Sequence, residues 1–168
     1  MIKPEELKDK KMIKIIDNQI QDKEAIFVEV KGLPYFYGER DNPKDLPTGL
    51  VSEITNVHYC YRAIHSFIKK NDFLKNKKIT RSYVNYFSPK ENANFHIDDY
   101  SGYTLLYYPN LEYDLNEGGE TKFLSENNTL VSVLPIPGRI AVFDASISHS
   151  ASSFKTQPRF TVVFKFKE

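Results

Sequence analysis

Cysteine, one-sided charge and long apolar runs are what this sequence has least of, and each shortage closes off a class of protein. Cys60 is the single cysteine in 168 residues, so no intrachain disulfide can form and the framework of a small secreted domain is excluded. No apolar stretch reaches the roughly 18 residues that a membrane-spanning helix requires. The opening MIKPEELKDKKM lacks the apolar centre of a signal peptide, and a reducing cytoplasm is the expected location. The formal net charge is only +1, which leaves no global electrostatic case for nucleic acid. Lys77, Lys78 and Arg81 make a small basic cluster that reads as a solvated linker. No internal repeat or low-complexity tract is visible.

What is present is a globular composition. Apolar residues make up 40% and aromatic residues 14% of the chain, enough at this length for one domain over residues 1–168 with a single core. Residues 1–79 read as a helical and loop support region. Within it, 4–22 reads as a polar helix with Pro4 in its first turn and Glu5 and Glu6 at its positive end. AIFVEV at 25–30 reads as a strand. Pro34, Gly38, Pro43, Pro47 and Gly49 mark 34–49 as a long loop, a lid over a site or a cover for the core. From Leu50 to Leu74, Ile54, Val57, Tyr61, Ile64 and Ile68 recur every three or four positions, the pattern of an amphipathic helix. His58 and His65 on that helix are too far apart to clasp one metal as an i, i+4 pair would and read as surface or structural residues.

After this helix the pattern changes to short strands: RSYVNYF, FHID, YTLLYY, ETKFL, LVSVLPI, RIAVFD, the segment around His149 and FTVVFKF. Ser88-Pro89, Glu117-Gly118-Gly119 and Pro137-Gly138 supply the turns. Strands in succession after a helical block predict a mainly β fold with bracing helices over 80–168, a double-stranded β-helix or jelly roll with a cupin-like barrel.

Three short segments of that region carry chemistry. In NFHIDD, extended backbone places His96 and Asp98 on one side and Ile97 and Asp99 on the other. A second histidine, His149 in SISHSA, follows 53 residues after His96 and is expected from an opposing strand of the barrel. Any one histidine is more often a surface or core residue than a ligand, but two imidazoles and a carboxylate on one face of a metal leave positions open. That arrangement suits Fe(II) binding a co-substrate and dioxygen together. Arg159 in TQPRFTV lies ten residues past His149. Phe160, Val162, Phe164 and Phe166 form one apolar face of its strand, which puts Arg159, Thr161 and Val163 on the other. An inward guanidinium beside a hydroxyl makes a carboxylate pocket.

From about Thr80 onward the chain resembles the 2-oxoglutarate- and Fe(II)-dependent dioxygenases, in particular the prolyl-hydroxylase-like branch with small bacterial and phage members. YTLLYYPNLEYDLNEGGETKFL is similar to that family's Tyr-Tyr-Leu-Asn and Gly-Gly-Glu-Thr segments, with Pro109 in place of the usual Leu. The resemblance implies that His96, Asp98 and His149 bind Fe(II) and that Arg159 holds the distal carboxylate of 2-oxoglutarate. It places Tyr108, and with it Tyr86 and Thr104, in the co-substrate pocket, where strand parity already sets Thr161 beside Arg159. It further implies O2 as oxidant, ascorbate as a stimulant, release of succinate, and hydroxylation, since related halogenases lack the carboxylate that Asp98 provides. The substrate would be a prolyl residue in a peptide or protein, or a small molecule.

Other readings share parts of this pattern. A sugar-epimerase or other cupin, or a noncatalytic metal-binding module, would use the barrel and shell but leaves Arg159 unexplained. Alkylation-repair demethylases of nucleic acid resemble R-x-N-x-T-x-R after the distal histidine, whereas this chain has Thr161, Val163 and Lys165 at the three matched places.

Overall fold

Strict alternation along the last strand organises the molecule, because it gives one sheet two chemically unlike faces. The computed structural model describes residues 11–40, 44, 47, 49–125 and 127–167. In chain order the elements are β1 (Ile13–Ile16), α1 (Lys23–Gly32), β2 (Phe36–Glu39), β3 (Gly49–Glu53), α2 (Tyr59–Lys70), β4 (Lys78–Phe87), β5 (Tyr103–Tyr107), β6 (Thr121–Leu124), β7 (Leu130–Val133), β8 (Ile140–Asp144), β9 (His149–Ala151) and β10 (Arg159–Lys167). Seven strands form a large antiparallel sheet in the order β1-β8-β5-β10-β4-β3-β2, and β7-β6-β9 form a small one. The two sheets meet through a core in which Phe123, Val133 and Ile147 pack with Tyr83, Leu106, Phe143 and Val163 of the large sheet. This is the jelly-roll arrangement the strand pattern predicts.

The even residues of β10, Phe160, Val162, Phe164 and Phe166, join a second core with the helices. In α1, Ile26 and Val30 are buried, and in α2 it is Cys60, Ile64 and Ile68. Each series steps by four residues, so it lies along one helical stripe. Fully burying a side chain of this size removes enough apolar surface from water to contribute about 1.5 to 3 kcal/mol. His58 provides no side-chain cap for α2. The cap comes instead from α1, where the Glu29 carboxylate accepts hydrogen bonds from the backbone N–H of Tyr59 at 2.8 Å and of Cys60 at 2.6 Å. A negative charge at the positive end of the helix locks α1 to α2. Against the cost of burial, these N–H donors hold the Glu29 carboxyl below its usual range.

The first half of the chain departs from its sequence reading in four places. The expected strand at 25–30 is the middle of α1, because Ile26 and Val30 follow helical spacing and the run is too short for its apolar content to reveal the period. The expected helix at 4–22 lies partly outside the described residues. Its later part holds β1, whose Ile13–Ile16 pair with Phe143 to Ile140 of β8. Two strands, β2 and the start of β3, bound the expected loop 34–49, and their register shifts between Tyr37 and Glu39, so Gly38 sits at a bulge. The long helix at 50–74 is only Tyr59–Lys70, since Gly49–Glu53 pairs with β4 and extends the large sheet. The first 79 residues therefore supply three strands of the large sheet in addition to the covering helices.

Candidate metal and co-substrate site

Between the two sheets lies a cavity of about 570 Å3 lined from one end by Arg159 and Thr161 and from the other by His96, Asp98 and His149. His96 is held by an isolated antiparallel bridge to His149. Its N–H donates to the His149 carbonyl at 3.0 Å, and its carbonyl accepts from the His149 N–H at 2.9 Å. His149 is thus the direct neighbour of His96 in the small sheet and does not reach across from an opposing strand, contrary to the sequence expectation. Nor is FHID a regular strand. The backbone bends at Asp98, whose N–H donates to the Ala145 carbonyl at 2.9 Å. Asp98 nonetheless turns to the same side as His96, and Asp99 points outward near Lys167.

The three side chains present one donor atom each within 4.8 Å of one another. His96 Nε2 is 3.6 Å from one Asp98 oxygen, and His149 Nε2 is 3.7 Å from the other. Both imidazoles turn Nε2 inward because Nδ1 is engaged elsewhere, with the Asn94 carbonyl at 3.0 Å for His96 and the Ile147 carbonyl at 2.9 Å for His149. A carbonyl partner takes the proton on Nδ1 and turns Nε2 toward the cluster, which is the orientation a metal ligand needs. Burial lowers the His149 pKa, so the ring favours its neutral form. Burial opposes ionisation of Asp98, but the His96 contact, the His149 ring and the Lys165 ammonium outweigh it and hold the carboxyl far below its usual range. Two imidazoles and an ionised carboxylate fit a divalent first-row metal, and their residue types match the non-haem Fe(II) triad.

Two more residues grip Asp98. Thr104 of β5 donates its hydroxyl to one carboxylate oxygen, and Lys165 of β10 lies 2.6 Å from the other. The sequence treats Lys165 only as a departure from the alkylation-repair pattern. Its place is set by parity, since it shares a face with Arg159, Thr161 and Val163. Thr104 is thus at the metal end of the cavity.

At the opposite end Arg159 is 1% exposed. Its guanidinium donates to the Gly119 carbonyl at 2.8 Å, to the Thr161 hydroxyl at 2.8 Å and to the Thr121 hydroxyl at 3.1 Å. None of these acceptors is a carboxylate. Burial pulls the Arg159 pKa down, yet a guanidinium stays charged in proteins. Gly119 makes this cradle possible. Its φ is +82°, and a Cβ there would stand 2.3 Å from the Phe154 ring, so only glycine brings that carbonyl to Arg159. Tyr108 is buried beside the guanidinium, with its ring centroid 5.5 Å from the guanidinium carbon and its hydroxyl 2.7 Å from that of Thr121.

Of the expected pocket residues, Thr104, Thr161 and Arg159 line the cavity, Tyr108 is buried beside the guanidinium without lining it, and Tyr86 lies on the other side of the sheet. It pairs with Phe160, on the helix-facing side of the sheet, and packs against Tyr35 and Phe160 at centroid distances of 5.5 and 5.2 Å. Cavity-facing positions of β4 belong to Tyr83, Asn85 and Phe87. Neither Asn85 nor Lys165 carries a motif signal; parity along β10 places Lys165, and strand register with β10 places Asn85 opposite Thr161.

No family model matches this sequence, and no curated protein matches it by sequence comparison. Solved structures do. A prolyl hydroxylase from Trichoplax adhaerens, in complex with a hypoxia inducible factor oxygen degradation domain peptide fragment, superposes with a TM-score of 0.76 at 17% identity, over 92% of this chain and 83% of that one. A Pseudomonas putida prolyl-4-hydroxylase matches with a TM-score of 0.68 at 11% identity, covering 93% and 92% of the two chains. The viral collagen prolyl hydroxylase of Paramecium Bursaria Chlorella virus-1, as its 2OG complex, gives 0.66 at 14% identity over 92% and 94%. At these identities the likeness establishes a common fold, the double-stranded β-helix.

Proposed function

We propose that this protein is a 2-oxoglutarate- and Fe(II)-dependent oxygenase that hydroxylates a prolyl residue of a peptide or protein, or a related small substrate. The observation that carries the reading is Arg159. It is a fully buried cation whose hydrogen bonds all go to neutral oxygens, placed in the same cavity as a two-histidine, one-carboxylate cluster. A buried charge requires a counter-charge, and a bound carboxylate supplies it. A cupin isomerase or a noncatalytic metal-binding module gives no account of that arginine. The fold likeness to prolyl hydroxylases, one of them holding a peptide, supports a peptidyl substrate.

In this reading His96 and His149 hold the metal through Nε2 and Asp98 holds it through a carboxylate oxygen. Bound iron and 2-oxoglutarate supply the oxidising chemistry: one atom of O2 enters the substrate C–H bond, the other enters succinate, and CO2 leaves. Arg159 binds the distal carboxylate, with Thr161 and Thr121 fixing the fork of the guanidinium, and Tyr108 closes that end. Thr104 and Lys165 orient Asp98. Phe87, Leu106 and Val163 line the same cavity and limit its water.

The test is succinate formation from 2-oxoglutarate with a panel of peptides and small molecules, with and without ascorbate. It is paired with calorimetry of 2-oxoglutarate on Mn(II)-loaded protein. Arg159→Gln keeps a hydrogen-bonding side chain and removes the charge, so co-substrate affinity should drop roughly 30-fold or more while metal affinity holds. If that variant binds 2-oxoglutarate as tightly as the parent, the oxygenase reading fails and a metal-dependent cupin becomes the better account.

A further inference from the structure

At the start of β10 a side chain takes the place of a strand. β5 pairs with β10 only from Val162 to Phe166, ending at Tyr107 opposite Val162. Arg159, Phe160 and Thr161 are paired on their other side, with Phe87, Tyr86 and Asn85 of β4. The chain leaves β5 through Tyr108 and Pro109, and the next residue, Asn110, returns its side chain to the edge that β5 leaves open. Its Oδ1 accepts from the Phe160 N–H at 2.9 Å, and its Nδ2 donates to the Pro158 carbonyl at 3.0 Å. A carboxamide carries the same donor and acceptor as a peptide group, so it continues the ladder where the strand has ended. The two bonds close on the residues that flank Arg159. Asn110 is 3% exposed, so water does not compete for either of them.

We propose that Asn110 is a positioning residue for co-substrate binding: by pinning the backbone on both sides of Arg159, it fixes where the guanidinium stands and so its fit to the distal carboxylate. This rests on the oxygenase reading above. Asn110 touches neither metal nor co-acid and acts only through Arg159. That guanidinium has to meet the Gly119 carbonyl and the Thr121 and Thr161 hydroxyls and still present its fork to a ligand. Such bonds weaken steeply with misalignment. Without Asn110, pairing with β4 holds this stretch along one edge only. Phe160 stays anchored on the other face among Phe27, Tyr35 and Tyr86, so the loss loosens the backbone at Arg159 without releasing the strand.

The experiment is calorimetry on Mn(II)-loaded parent, Asn110→Leu, Arg159→Gln and the double variant, with two probes. One is 2-oxoglutarate. The other is oxalate, which chelates a metal but lacks the distal carboxylate. Asn110→Leu occupies similar space without either hydrogen bond. It should bind 2-oxoglutarate about ten-fold more weakly, the worth of one hydrogen bond to a charged group, with oxalate and Mn(II) affinities unchanged. In the Arg159→Gln background, adding Asn110→Leu should bring little further loss, because the residue it positions is gone. Asn110→Ser, short enough for water to bridge the two backbone groups, should lose 2-oxoglutarate affinity with the same selectivity and by a smaller factor. It carries the test if the leucine variant does not fold. Unchanged 2-oxoglutarate affinity in the Asn110 variants, in a protein where Arg159→Gln weakens it, overturns the role of Asn110 and leaves the oxygenase reading standing. Equal weakening of 2-oxoglutarate and oxalate, or losses that add in the double variant, assign Asn110 a general structural role and overturn the proposal as well. Absence of 2-oxoglutarate binding by the parent overturns both.

Discussion

The two faces of the large sheet are made by the same strands yet obey different rules. Toward the helices, Phe160, Val162, Phe164 and Phe166 of β10 meet Val84, Leu105, Tyr107 and Val142 in an apolar layer closed by α1 and α2. Toward the small sheet, one residue along each strand, the chain places Arg159, Thr161 and Lys165, with Asn85 and Thr104 beside them. Burial is similar on both sides, since Phe164 is 0% and Arg159 1% exposed. The contrast teaches that depth alone does not mark a core. On the helix side burial removes apolar surface from water and stabilises the fold. On the cavity side burial strips water from charges and amides and opposes folding.

The sharpest way to break this contrast is to remove a large side chain from the helix side. Phe164 stacks on Tyr61 of α2 with centroids 5.2 Å apart, and Phe164→Ala should destabilise the protein by about 3 to 5 kcal/mol, measured by urea denaturation. Metal affinity of the folded fraction should be retained. Asp98→Ala reverses the pattern. It should weaken Mn(II) or Co(II) binding by at least 100-fold, about 3 kcal/mol, and abolish the rise in melting temperature that metal confers on the parent. Its neighbour Asp99, turned outward, is the control. Asp99→Ala should leave metal affinity as it is, and a loss equal to that of Asp98→Ala would show the opposite facing.

The Glu29 cap makes a smaller prediction about the helix layer. Glu29→Gln removes the charge at the start of α2 and should cost about 1 kcal/mol at neutral pH. The folded-state pKa of Glu29 is depressed. The charge therefore stabilises the fold above the unfolded carboxyl value of about 4.3, and the benefit is lost as pH falls through that value toward the folded one. Parent and variant should converge in stability at acid pH. A constant gap from pH 7 down to pH 3 would show that the charge contributes nothing.

Where the sequence can be read alone follows from the range of the forces involved. In β10, alternation is local: Phe160 and Arg159 are adjacent, and a period of two separates their faces without reference to any partner. The His96–Asp98 pair is local in the same sense. In AIFVEV the apolar run is too short to separate periods of two and 3.6, and only the packing of Ile26 and Val30 on the sheet decides for a helix. For IKII the deciding contact is with β8, more than a hundred residues away in sequence. Tyr86 shows the limit of a family resemblance as a guide to a site. The family resemblance puts it in the pocket, but its face is set by pairing with Phe160.

By itself, then, the sequence determined the pairing of His96 with Asp98 on one side, the parity that joins Arg159 to Thr161, the strand succession of the second half and the lack of a disulfide, because each depends on neighbours within a few residues. Tertiary structure decided that His149 is paired with His96, that Lys165 and Thr104 grip Asp98, that Asn85 and not Tyr86 faces the cavity, and that three strands of the first half complete the sheet. Those outcomes depend on strand register, and register is settled by which distant segments bury their apolar faces together.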